Sequence, residues 1–178
     1  MKQLLGLGLA LLIPLAACRA GEEPAVPETI DADNPLESAA RAANLVVDPD
    51  ATPLTGLYER IHTSGTDSFC ALPDGDDDEH YRFGLIASFG TTLTCEGQGS
   101  AVHNGETLAL DFDDADCAFT ARYDGQSVAM PGTVPEGCSA LCGPRALMSG
   151  VSIARTGWED ADARRLLSRK DRAPLCGG

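Results

Sequence analysis

Positive charge is scarce in this chain. Thirteen Lys and Arg stand against 27 Asp and Glu, a formal net charge of −14. So acidic a surface repels a phosphate backbone and excludes nucleic acid as a partner. Aromatic residues are few as well: nine in 178, all at or after Tyr58. Long apolar runs are missing. The longest, Leu4 to Ala17, would rise only ~21 Å as a helix, against a hydrocarbon layer of ~30 Å. Nucleophile-elbow, HExxH, P-loop and paired Cys/His signatures are also missing. A Ser/His/Asp set can be drawn from distant positions, but sequence alone gives it no geometry.

What the first residues do contain is an address. Lys2, the apolar run and a small-residue end have the layout of a secretory signal, residues 1–17. That end, Leu15-Ala16-Ala17-Cys18, closely resembles the lipobox of bacterial lipoproteins. The resemblance covers only this N-terminus. It implies cleavage before Cys18, a thioether-linked diacylglycerol on its sulfur, and acylation of the new amine by a fatty acid such as palmitate. Arg19 follows where an aspartate often signals inner-membrane retention, so the expected location is the outer membrane, facing the periplasm. Two or three acyl chains anchor firmly, at ~0.8 kcal/mol per buried CH₂. The membrane is then a partner through the lipid anchor, without being spanned.

Removing residues 1–17 leaves 12 basic and 27 acidic residues, a net of −15. It also leaves six cysteines besides Cys18: Cys70, Cys95, Cys117, Cys138, Cys142 and Cys176. An even number in an exported chain reads as a disulfide framework, with fifteen pairings open. Residues 18–33 are acidic and proline-bearing without periodicity, an extended tether.

Residues 34–53 read as a short helix and linker. Asn34 suits an N-cap, Pro35 the first helical position and Glu37 a capping box, while Leu36, Ala39, Ala40 and Ala43 share a face expected to dock on the domain.

From residue 54 the period changes to two. Tyr81, Phe83, Leu85, Ala87 and Phe89 alternate with His80, Arg82, Gly84, Ile86 and Ser88. Leu108, Leu110 and Phe112 form a second such row, and Cys117, Phe119, Ala121 and Tyr123 a third. Asn104-Gly105 and Asp124-Gly125 mark type I′ hairpin turns. The pattern predicts a mainly β domain over 54–178: a small antiparallel barrel or sandwich stapled by disulfides. Cys117 is expected in a buried bridge. The Gly/Pro-rich loop Pro131–Arg145 is expected to be fastened by Cys138 and Cys142. A final helix is predicted from a Thr156 cap and Glu159 through Leu166 and Leu167 to the bases Arg164, Arg165, Arg169 and Lys170, stopped by Pro174. Cys176 ties the chain end back.

Chemistry-bearing clusters are sparse. Cys138-x₃-Cys142 lacks the second pair or nearby histidines of a zinc site, because His62, His80 and His103 are scattered. The acidic runs Asp74–Glu79 and Asp111–Asp116 fail the calcium-loop pattern, with Glu79 where glycine belongs. They read as solvated turns that also blunt strand edges. Glu59 or Glu96, beside an aromatic strand, offers a raised-pKa acid for glycoside chemistry, against the commoner reading of both as exposed strand carboxylates. Neither metal nor cofactor is expected.

Charge is distributed unevenly. Residues 20–154 carry 23 acids and five bases, residues 155–178 four acids and six bases. A cationic envelope protein is the partner such a field would steer. The whole resembles small envelope lipoproteins of Gram-negative bacteria. Three functions follow from that likeness. The first is a non-enzymatic binding or structural module using loop Pro131–Arg145 and the turn tips. The second is a lysozyme inhibitor of the small β-barrel type, with Gly97-Gln98-Gly99-Ser100 as a distant echo of an inhibitory loop. The third is an envelope hydrolase without a recognisable motif.

Overall fold

The alternation from His80 onward becomes strand β3, and seven further strands join it. In order they are β1 (Gly56–His62), β2 (Gly65–Pro73), β3 (His80–Ser88), β4 (Thr94–Asn104), β5 (Thr107–Phe112), β6 (Ala118–Tyr123), β7 (Ser127–Ala129) and β8 (Ser152–Gly157). The structure, a computed structural model, describes residues 35–177 except 44, 77–78 and 91–92. The lipobox with Cys18, the signal segment, the tether and Asn34 lie outside the described residues.

Each strand pairs antiparallel with its neighbour in sequence, and β1 closes the ring on β8 through Leu57↔Gly157, Tyr58↔Arg155 and Glu59↔Ala154. The result is a closed eight-stranded up-and-down barrel, which leaves no sheet edge to blunt at the seam. Of the two architectures left open by the sequence, the barrel is the one formed. Eight strands enclose a space that side chains can just fill. Here Tyr58, Phe69, Phe83, Leu85, Leu108, Leu110, Val128 and Ile153 occupy it, all at 0–1% exposure. Their rings interlock: Phe83 meets Phe112 edge-on at 4.9 Å and stacks on Phe69 at 5.7 Å.

β4 packs tightly against β5, and two glycines permit it. A Cβ at Gly97 would fall 2.7 Å from the Phe112 ring, and one at Gly99 only 1.9 Å from the Asp111 carbonyl oxygen. Glycine inside a strand commonly marks such a close approach.

A second, smaller core lies outside the barrel, and it makes β3 buried on both faces. Leu57, Cys70, Leu72 and Ile86 point outward, where Ala163, Leu166, Leu175 and Cys176 of the C-terminal segment cover them. The disulfide Cys70–Cys176 fastens this strap. It packs so closely that a Cβ at Gly84 would meet Leu175 at 2.6 Å. Period-two reading assigned Gly84, Ile86 and Ser88 to a solvated face. They are buried because the strap supplies a second apolar layer.

Three local expectations change. The terminal helix shrinks to α2 (Asp160–Ala163), capped at Glu159, whose N–H donates to Asp162 Oδ2 at 3.3 Å. Thr156 belongs instead to β8, and beyond Arg165 the chain turns back: the Leu175 N–H donates to the Leu166 carbonyl at 2.9 Å. Burying Leu166 and Leu175 together over Ile86 outweighs the few tenths of a kcal/mol per residue of helix propensity. The N-terminal helix α1 (Pro35–Ala42) forms, with Leu36 79% exposed, Ala39 and Ala43 exposed and Ala40 half-buried, so most of the face expected to be covered is open to solvent. Both glycine turns sit one residue later than predicted. Asn104 pairs with Thr107, leaving Gly105-Glu106 as the loop, and Gly125-Gln126 occupies the centre of the other. Only the glycine has positive φ in each (59° and 85°), the type II′ arrangement rather than I′. Asp124 acts beside its turn, accepting the Gln126 and Ser127 N–H groups at 2.9 and 2.6 Å.

Candidate functional site

The strands alternate in direction, so the barrel has two ends that are closed by different means. One end gathers the β2–β3, β4–β5 and β6–β7 turns and the start of β1. The other gathers the β1–β2, β3–β4 and β5–β6 connections and the long segment between β7 and β8.

That long segment carries the Gly/Pro-rich loop Pro131–Arg145. Its stem is backbone: the Met130 N–H donates to the Val151 carbonyl at 2.7 Å and the Gly150 N–H to the Pro131 carbonyl at 2.8 Å. Its body is a short 3₁₀ helix, Glu136–Leu141. Two disulfides then fix it to the barrel rim, Cys117–Cys138 and Cys95–Cys142. The Gly143 N–H adds a 2.8 Å bond to the Thr94 carbonyl. Ala146 and Met148 plug the barrel mouth and are buried, at 4% and 1%. The fastening of the loop by Cys138 and Cys142, the buried bridge at Cys117 and the tie at Cys176 are all as expected.

Between the loop and its returning arm lies a shallow depression of about 240 Å³, lined by Val134, Pro135, Cys138, Cys142, Leu147 and Met148, with Glu136 and Ser139 at its rim. Leu147 is 59% exposed. Gly137 lies against the β5–β6 connection, where a Cβ would fall 1.9 Å from the Asp116 carbonyl oxygen. Asp116 and Glu136 thus belong to one surface. Both are exposed, as is Asp114, and none of the three has an ion-pair partner among the described residues. Asp113 is held by Arg82, whose guanidinium that bond pushes above its ordinary pKa. Arg145, at a left-handed φ of 68°, is the base of the loop.

At the opposite end the closure is aromatic and polar. Leu54, fully buried, caps the interior, and the Tyr58 hydroxyl donates to its carbonyl at 2.8 Å. The Arg155 guanidinium donates to the Pro53 and Thr55 carbonyls at 2.7 and 2.8 Å and to the Tyr123 hydroxyl. It also lies over the rings of Trp158 (4.3 Å), Tyr58 (4.8 Å) and Tyr123 (5.8 Å). Burial pushes both tyrosine hydroxyls well above their ordinary pKa. The His103 ring stands edge-on to Tyr123 at 5.0 Å, with Nε2 2.9 Å from the Gly105 carbonyl oxygen. Sequence reasoning missed Arg155. Its only signal was its place in the same alternating row as Ile153 and Gly157.

The remaining candidates are placed as follows. Ser88, His62 and Asp67 do come together near the disulfide end. Asp67, 1% exposed, accepts from Arg60 at 2.6 Å and from the Ser88 N–H at 2.8 Å, and His62 Nε2 lies 3.2 Å away. The Ser88 hydroxyl, however, donates to the Thr66 carbonyl and accepts from Arg169, so it is turned away from nucleophile duty. Glu96 is buried, and its two oxygens accept from the Ser168 hydroxyl and the Arg169 N–H, both at 2.8 Å. It anchors the strap. Glu59 faces Thr156 on the barrel wall at 3.4 Å. Gly97 to Ser100 lie within β4, paired on both sides, and form no protruding loop. Among the described residues no group of three or more His, Cys, Asp or Glu is placed to hold a metal ion. Their arrangement defines a disulfide-stapled up-and-down barrel with one covalently fixed rim.

Comparison with protein-family models, with curated proteins and with solved structures finds no match to this chain.

Proposed function

We propose that the chain is a lipid-anchored envelope protein, tethered through Cys18 and facing the periplasm. Its barrel is a non-enzymatic module that binds a partner through the disulfide-fastened rim. The observation that carries this reading is the double fastening of loop Pro131–Arg145, to β4 at Cys95 and to the β5–β6 connection at Cys117, beside an apolar depression and an exposed Leu147. A loop already fixed loses little conformational freedom on binding, and that saved entropy, of order 0.5–1.5 kcal/mol per ordered side chain, appears as affinity. The rim also lies at the opposite end of the barrel from the point where the chain enters β1.

Two experiments test the parts separately. Cys18→Ser should move the protein from the membrane to the soluble fraction; unchanged fractionation removes the anchor. A photo-crosslinking residue at Leu147 should give a discrete adduct in the intact envelope, and one at Val102, on the barrel wall, should not. Equal labelling from both positions, or none from Leu147, counts against the rim.

A further inference from the structure

We infer that the disulfide-fastened rim recognises a polypeptide segment in which one apolar side chain is flanked by basic residues. The apolar side chain would seat in the depression beside Leu147, and the bases would face Asp116 and Glu136. This deepens the binding reading above and rests on it.

Size decides first. About 240 Å³ falls below the ~300–1,000 Å³ of small-molecule sites, so a cofactor or a multi-ring ligand is too large. One side chain is the natural occupant. The lining supports an apolar one, because Val134, Pro135, Leu147 and Met148 offer it carbon and the disulfide sulfurs offer no strong acceptor.

Charge decides the neighbours. Glu136 sits at the rim, and Asp116 adjoins it through the contact at Gly137. Neither has an ion-pair partner among the described residues. Arg145 lies two residues from Leu147 and is the local opposing charge. At the depression itself two carboxylates, Asp116 and Glu136, stand against that one guanidinium, while Arg169 and Lys170 line a separate depression with Leu141 and Gly143. The balance favours a cationic flank and disfavours an acidic one. Rigidity makes the arrangement selective: the disulfides at Cys138 and Cys142 bracket the depression, so it does not reshape for another occupant.

The test uses the full mature chain and three fluorescent peptides of equal length, with Lys-Phe-Lys, Glu-Phe-Glu or Lys-Ser-Lys at the centre, followed by anisotropy. The Lys-Phe-Lys peptide should bind at least about tenfold tighter than either of the others. Leu147→Asp should weaken it about tenfold, as should the pair Asp116→Asn with Glu136→Gln. The charge-matched pair Asp50→Asn with Asp76→Asn, at the other end of the barrel, should stay within about twofold. Equal affinities for the three peptides, no binding at all, or equal weakening from both charge pairs overturns the inference. Its failure is separable from failure of the binding reading. If Leu147 crosslinks a partner whose captured segment has no base beside its apolar residue, the rim binds and only the inferred chemistry is wrong.

Discussion

The two ends of this barrel solve one problem with opposite chemistry. At the tyrosine end the mouth is closed by Leu54, two buried hydroxyls and a guanidinium that joins three carbonyl or hydroxyl oxygens. At the disulfide end it is closed by Ala146 and Met148 under a loop held by two covalent bonds. Non-covalent closure responds to protonation and to single side-chain changes. Covalent closure is indifferent to pH in the neutral range and responds to reductant. The difference teaches where each kind of constraint is useful. A mouth that only has to stay shut is sealed by packing and hydrogen bonds. On the proposed reading, the mouth that also presents a loop to a partner has that loop fixed before the partner arrives.

The largest expected effect comes from opening the covalent end. Cys95–Cys142 spans 47 residues, and loop-closure entropy alone gives it about 4 kcal/mol. That is a large share of the roughly 5–15 kcal/mol available to a domain. Cys95→Ala with Cys142→Ala should lower the unfolding free energy by that order, read from a denaturant melt, and an unchanged midpoint would show that the rim is held by its core residues instead.

Next is the tyrosine end. Arg155→Ala strands the Pro53 and Thr55 carbonyls and removes the cation over Trp158, a loss of about 2–4 kcal/mol. Trp158 is the single tryptophan, so its emission should shift in the same variant before any unfolding. A stability loss below about 0.5 kcal/mol would mean that Leu54 seals this end without help.

Alkaline pH separates the ends more finely. Tyr58 and Tyr123 have folded pKa values raised above the ordinary value of 10.0. The unfolded chain therefore releases those protons first as pH rises, and stability falls above about pH 10 by up to ~1.4 kcal/mol per pH unit for each tyrosine. Below pH 10 their contribution is fully present. Tyr58→Phe should roughly halve the slope between pH 10 and 11, and an unchanged slope would place the titration elsewhere.

The smallest effect concerns the β6–β7 turn at the tyrosine end. Burial opposes ionisation of Asp124, but hydrogen bonds from the Ser127 hydroxyl and the Gln126 and Ser127 N–H groups outweigh it and lower its pKa. Its stabilising contribution is present above the unfolded value and is lost as pH falls through the lower folded one. Asp124→Ala should cost about 1 kcal/mol at pH 7 and little below pH 3, read from urea melts.

Much of the disulfide end was legible in the sequence; at the tyrosine end the two glycine turns were, to within one residue, and the polar closure was not. Alternation through Tyr81–Leu85 and Leu108–Phe112 locates inward-facing rows because β periodicity is local. The cysteines announce that Pro131–Arg145 is fastened, although which cysteine meets which depends on tertiary folding. Glu96 and Ser88 were read as exposed strand residues. What buries them is the strap more than seventy residues away, and no window on the sequence contains both. Arg155 escaped for the same reason: its role depends on the ring closing, which brings β8 to Tyr58. The terminal helix failed because its capping and charge pattern is helical while its leucines are needed on an outer face.

The most direct test of the account is to free one arm of the loop and leave the barrel intact. Cys117–Cys138 spans only 21 residues and contributes about 3 kcal/mol, so Cys117→Ala with Cys138→Ala should retain the fold, as Trp158 emission at the far end will report. The photo-crosslinked adduct at Leu147 should then be lost or fall at least about tenfold while that emission stays native. A native Trp158 signal with undiminished crosslinking would contradict the claim that the fixed rim is the binding surface.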